Sequence, residues 1–129
     1  MSYLDEHLSN AATRQITPKL WGHEELVHNG AGYCGKILEY SGAVASSLHR
    51  HWVKDEVLMV VQGLVKLEVW STDSKDAEVY MLSANYRDAV HLEPGVWHRL
   101  TPIGAAVVYE WSSVHADSDV ERLEESRLL

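Results

Sequence analysis

What most constrains this chain is the absence of a long helical period between Thr17 and Ser113. That span is a succession of short segments rich in Val, Leu, Trp and Tyr, separated by turn signals. The signals are "HNGAG" (28–32), "SGA" (41–43), "QG" (62–63), "STDSKD" (71–76), "SAN" (83–85), "EPG" (93–95) and "TPIG" (101–104). They divide the span into roughly eight to ten strands. With no helical crossover to join parallel strands, an antiparallel sandwich or barrel is expected.

The two ends read differently. Residues 3–14 place Leu4, His7, Leu8 and Ala11 at helical spacing, which predicts a short amphipathic helix. The tail "DVERLEESRLL", with Val120, Leu123 and Glu124 on one side, predicts another. The expected organisation is one domain over residues 1–129: an N-terminal extension (1–16), a barrel (17–113) and a C-terminal tail (114–129). A chain of 129 residues suffices for one modest core.

Charge and cysteine content narrow the function classes. The formal net charge is −8, which opposes a surface built to hold phosphate backbones, so no nucleic-acid partner is expected. A small pocket can still be locally positive. No apolar run approaches the ~20 residues that span a bilayer, so no membrane partner is expected either. Cys34 is the single cysteine and there are eight histidines, a balance suited to a reducing compartment. The polar start "MSYLDEHLSNAATRQ" is unlike a secretory signal, so the expected location is cytoplasmic.

Strand alternation assigns faces around the histidines. In "SSLHRHW", Ser47, His49 and His51 share one face, with Leu48, Arg50 and Trp52 on the other. In "VWHRL", Val96, His98 and Leu100 share a face, with Trp97 and Arg99 opposite. Two imidazoles spaced i, i+2 stand about 7 Å apart at their Cα atoms, close enough to chelate one ion. Glu56 begins the next strand, which would carry its carboxylate back over the pair. Two imidazoles and a carboxylate suit one divalent transition metal (Mn, Fe, Zn, Co or Ni) and are too nitrogen-rich for Mg or Ca. His98, aimed inward after the "EPG" turn, is the candidate fourth ligand, leaving positions open for a substrate.

These residues resemble a family. Gly42 to Gly63 resembles the first motif of the cupins: a glycine, His-x-His, a glutamate after three or four residues, and a glycine after six more. "PGVWH" resembles the second motif, which supplies the last histidine. The resemblance implies that His49, His51, Glu56 and His98 ligate the metal inside an all-β cupin double-stranded β-helix, a jelly-roll barrel with short terminal helical segments. The sequence departs from the pattern in its loops. Six residues rather than five separate Gly42 from His49, Arg87 stands at the second motif's leading glycine, Pro94-Gly95 is contiguous, and Pro102 replaces the closing asparagine. Within the family, "HRHWVKDE" looks most like the sugar-isomerase branch. "PKLWGHEELVHN" with "YCGKILEY" resembles the cupin half of mannose-6-phosphate isomerases, and "YEWSSVHADSDVERLEE" resembles lyxose-type isomerases.

Moving a carbonyl between sugar carbons 1 and 2 needs a Lewis acid, a base for the C2 proton and an acid to return it. Lys54 and Glu110 are the candidate catalytic residues. Lys54 reads either as a solvated turn charge or as a proton-handling group whose pKa a nearby cation would depress. Glu110, a carboxylate inside "AAVVYEWSS", either faces the pocket or points outward between subunits. Lys36 and Tyr40 share a face with Cys34 and are candidates to line the pocket, with Cys34 a small core residue. Arg50 and Arg99 should face away from the metal, which leaves no phosphate clamp and favours a neutral sugar or a non-phosphorylated acid. His7, His23, His28, His91 and His115 read as surface or loop residues.

The expected function is aldose–ketose isomerisation or epimerisation of a small sugar-like ligand through an enediolate. The alternatives are an Fe(II) dioxygenase on the same ligand set and a non-catalytic sugar-binding module. Leu48, Trp52 and Trp97 on the outward strand faces, with "ITPKLWG" as an added edge strand, predict a homodimer.

Overall fold

The computed structural model describes residues 2–42, 44–70 and 75–128. Its elements are a short helix α1 (Tyr3–His7) and the strands β1 (Gln15–Lys19), β2 (Gly22–Gly30), β3 (Tyr33–Tyr40), β4 (Val44–Ala45), β5 (Leu48–Arg50), β6 (Glu56–Trp70), β7 (Glu78–Ser83), β8 (Ala89–Leu92), β9 (Trp97–Ser112), β10 (Glu121–Glu124) and β11 (Arg127–Leu128). A 3-10 turn at Ala84–Tyr86 joins β7 to β8. Every strand pairing is antiparallel, as the missing crossovers require. The architecture is the all-β jelly roll expected.

Two long strands organise the barrel. β6 and β9 run antiparallel beside each other for nearly their whole length, and each bends midway. The first half of β6 and the second half of β9 lie in one half-sheet, ordered β1-β2-β3-β9-β6-β8. The other halves form the second, ordered β10-β5-β9-β6-β7. The sheet curls on itself and buries Trp21, Leu38, Tyr40, Leu58, Val60, Val65, Leu67, Leu82, Leu92, Leu100 and Val108.

The bends revise two predicted turns. "QG" at 62–63 and "TPIG" at 101–104 lie inside β6 and β9 instead of ending them. Gly63 takes φ +83° and Gly104 φ +76°, left-handed values that glycine adopts at low cost. The register slips on both sides of Gln62, as in a β-bulge. Inward positions on β6 therefore change from Glu56, Leu58 and Val60 to Val65 and Leu67. The predicted turns at 41–43 and 71–76 fall partly outside the described residues.

Both predicted terminal helices are also revised. α1 stops at His7, with Leu4 and Leu8 59% and 72% exposed, so no apolar face is packed. The Asn10 and Thr13 side chains bond nearby amides instead, competing with helix propagation. The C-terminal tail forms strands: β10 pairs with β5, and β11 with β4. An isolated helix of that length is marginal in water, whereas the β5 edge offers a full set of backbone partners.

Candidate metal centre

The pairing brings the predicted ligands together from two half-sheets. His49 on β5 lies directly opposite His98 on β9, and their ring centroids are 4.4 Å apart. His51 follows β5 immediately; its carbonyl accepts the Gly95 N–H of the "EPG" turn at 2.7 Å. Ring nitrogens of His49, His51 and His98 lie within 4.8 Å of one another. Glu56, at the start of β6, reaches across from the other half-sheet. Its Oε1 is 3.4 Å from His98 Nε2, and its Oε2 is 3.6 Å from His51 Nε2.

Tautomers are set by the outer contacts. Nδ1 of His98 lies 3.0 Å from the Val96 carbonyl and Nδ1 of His51 2.8 Å from the Asp119 carbonyl. Nδ1 of His49 lies 3.1 Å from the Ser47 carbonyl. A carbonyl only accepts, so His51 keeps its proton on Nδ1 and turns Nε2 toward the centre. At His49 the Ser47 hydroxyl, 3.0 Å from Nδ1, competes with the carbonyl for that nitrogen. Burial, helped by the neighbouring rings, lowers His49 to about 3; burial, helped by Lys54, lowers His51 to about 4. Glu56 is held well below the ordinary carboxylate range: burial opposes this, but His98 and Lys54 outweigh it. Glu56 Oε2 is buried and accepts no hydrogen bond of good geometry. Three imidazoles with ring nitrogens this close form a group that could hold one ion, with the Glu56 carboxylate beside it. The donor set fits one divalent transition metal.

Beside this centre lie the two other candidates, both buried. Lys54 is 3% exposed and Glu110 6%. Lys54 Nζ stands 3.1 Å from Glu110 Oε2 and 3.1 Å from Glu56 Oε2. The reading of Lys54 as a solvated turn charge is thereby corrected. The depressed pKa expected of Lys54 is tied to a cation bound beside it; the protein's own groups shift it the other way. Burial pulls it down, but the carboxylates of Glu110 and Glu56 together outweigh that and hold the ammonium above the ordinary lysine value. Glu110 stands between Lys36 on β3 and Leu58 on β6 in one inward row, so it faces the interior. The cavity they share measures about 620 Å³.

No family model matches the sequence, and no curated protein is significantly similar to it. Solved structures do match the fold. The capsular polysaccharide assembling protein CapF from Staphylococcus aureus superposes with a TM-score of 0.78 at 17% identity, over 86% of this chain and 34% of its own. A variant of oxalate decarboxylase from Bacillus subtilis gives 0.76 at 10% identity, over 87% of this chain and 31% of its own. KdgF from Halomonas sp. gives 0.70 at 16%, over 84% of this chain and 94% of its own. All three are cupin-fold proteins. This chain has the cupin fold. It spans about a third of the length of CapF and of the decarboxylase.

Several cupin-cavity residues went unrecognised in the sequence. His115, expected as an ordinary surface or loop residue, lies in a loop that lines the cavity, its Nε2 2.8 Å from Asp117 Oδ1. Arg122 on β10 also lines it, at the register position opposite His49. Lys36 and Tyr40 line it as expected, with Lys36 Nζ 3.4 Å from Glu24 Oε2. Arg50 and Arg99 do face away, bound to Glu121 and Glu124. Neither arginine supplies a phosphate clamp, but Arg122 and Lys19, which the sequence did not single out, add positive charge to the wall alongside Lys36. Asp119 had no local signal at all: its contacts to the ligand loop come from 65–68 residues away.

Proposed function

We propose that this cupin is a metal-dependent enzyme acting on a small carbohydrate, isomerising an aldose to a ketose or epimerising it through an enediolate. The observation that carries the reading is a buried Lys54–Glu110 pair beside three imidazoles whose ring nitrogens converge. When bound to His49, His51, Glu56 and His98, a divalent metal would supply Lewis acidity to a carbonyl and its neighbouring hydroxyl. Glu110 is read as the base that accepts the C2 proton. Lys54, kept charged by its two carboxylates, is read as the donor toward the oxygen that gains charge. Return of the proton to C1 gives the ketose, and return to the opposite face of C2 gives the epimer. A cavity of about 620 Å³ accommodates a monosaccharide. Its wall near the centre is polar, with Lys54, Glu110, Lys36, Glu24 and Arg122, which speaks against the dioxygenase alternative.

We further propose a homodimer joined through the N-terminal segment, supported by β1, which among the described residues pairs only with β2. We also place the protein in the cytoplasm, supported by the buried, unpaired Cys34.

The test is metal analysis of protein purified without chelator, followed by incubation with pentoses and hexoses in heavy water. Deuterium should enter C2 of one of them. Glu110→Gln or Lys54→Met should slow that exchange by about 10²–10⁴-fold with metal content intact. His51→Ala should hold no stoichiometric metal and show no exchange. Metal-loaded protein that binds a sugar without exchange would make it a binding module, and substrate-dependent oxygen uptake would make it a dioxygenase.

A further inference from the structure

We infer that Asp119 is a positioning residue for the metal site, tying the C-terminal segment to the ligand loop so that metal affinity depends on that segment. The inference rests on the metal-binding part of the reading above. Residues 51–55 leave β5, carry His51 and Lys54, and deliver the chain to Glu56. The three successive amides of this loop converge on one carboxylate. Trp52 N–H and Val53 N–H donate to Asp119 Oδ1, each at 2.9 Å, and Lys54 N–H donates to Oδ2 at 2.8 Å. Consecutive amides arranged this way form an anion-binding nest, here filled by a side chain of the same molecule.

The backbone carbonyl of the same residue accepts the His51 Nδ1–H at 2.8 Å. One residue thus sets both the loop that presents Lys54 to Glu56 and the ring orientation of a ligand. The carboxylate anchors Asp119, and the anchored backbone holds the imidazole. The segment after it is pinned to the same strand: Glu121 pairs with Arg50 and Arg122 with His49, and Arg50 binds the Glu121 carboxylate. Outer partners of ligating histidines typically contribute 10–100-fold to metal affinity. Because linkage is reciprocal, a metal that binds more tightly with the segment docked must also hold the segment down.

The experiment compares wild type, Asp119→Asn and Asp119→Ala as full-length chains loaded with Co(II). Asp119→Ala should bind Co(II) about 10–100-fold more weakly in chelator competition, with altered ligand-field bands. Asp119→Asn, which keeps one oxygen acceptor, should fall between. Metal should slow hydrogen exchange at Trp52–Lys54 and over residues 119–124 in wild type, and much less in the variants. A merely structural role would lower the thermal midpoint while leaving the affinity and bands of the folded variant at wild-type values, and that result would overturn the inference. Should Asp119→Ala fail to fold, Asp119→Asn carries the same measurements. Wild type that binds no metal would sink the metal reading and this inference together. Wild type that binds metal, with variants identical to it in affinity and bands, would sink this inference alone.

Discussion

His49 and His51 belong to a group of three imidazoles that could hold an ion. Nδ1 of each ring lies against a backbone carbonyl, and burial resists a second proton. A consequence follows for the metal-free protein. Both rings have folded pKa values (about 3 and about 4) below the unfolded value of 6.5. Between those limits the unfolded chain binds more protons than the native one, so stability falls as pH falls. Their contribution is complete above pH 6.5 and is lost progressively on acidification toward pH 3–4. Glu56, also depressed, acts in the same direction below the usual carboxylate range. Urea midpoints of metal-free protein should therefore drop from pH 7 to pH 4, and His49→Gln should flatten that slope. Midpoints that stay level or rise on acidification would contradict the buried neutral rings.

At the scale of elements, the bend in β6 lets one strand serve two half-sheets. Gly63 sits in that bend with φ +83°, and a Cβ there would meet the Ala105 carbonyl oxygen at 2.5 Å and Ala106 Cα at 3.1 Å. Both partners are backbone of β9, which cannot move without breaking its own ladder. Gly63→Ala should cost about 1–3 kcal/mol, the usual range for a strained left-handed residue. Thermal unfolding should show a midpoint several degrees lower. A midpoint within a degree of wild type would mean that the bend adapts to a side chain. The strands on either side were legible through their apolar segments. The bend was not, because Gln-Gly before an apolar run looks the same whether the chain reverses or shears its register. The tail was misjudged for a related reason. Val120, Leu123 and Glu124 fit a helical stripe, but helical spacing only matters where there is a surface to pack against, and here an open strand edge was available instead.

For the whole molecule, the open question is what covers the edges. One part of the case for a dimer is gone, because Leu48 is buried within its own chain; Trp52, although Arg50 packs on its ring at 4.0 Å, stays 55% exposed. Beside it stands β1, which among the described residues pairs only with β2, with Ile16 44% and Leu20 55% exposed. An edge strand of that kind is a template for a second chain. Light scattering at micromolar concentration should give twice the mass of one chain, and Ile16→Lys should shift it toward the monomer. A monomeric wild type would remove the dimer.

The sequence by itself determined a strand-rich antiparallel fold, the shared face of His49 and His51, and the inward side of Val96, His98 and Leu100. Those features depend on period-2 alternation and short spacings, which are local and survive whatever the rest of the chain does. Only the tertiary structure decided which other groups meet them. Lys54 became a buried cation because Glu110, 56 residues away, closes on it, and no local rule sees that distance. Asp119 and Arg122 reached the centre because β10 took the edge of β5, a long-range pairing for backbone partners. Alternation tells a residue which side it faces; only the folded chain supplies what stands there.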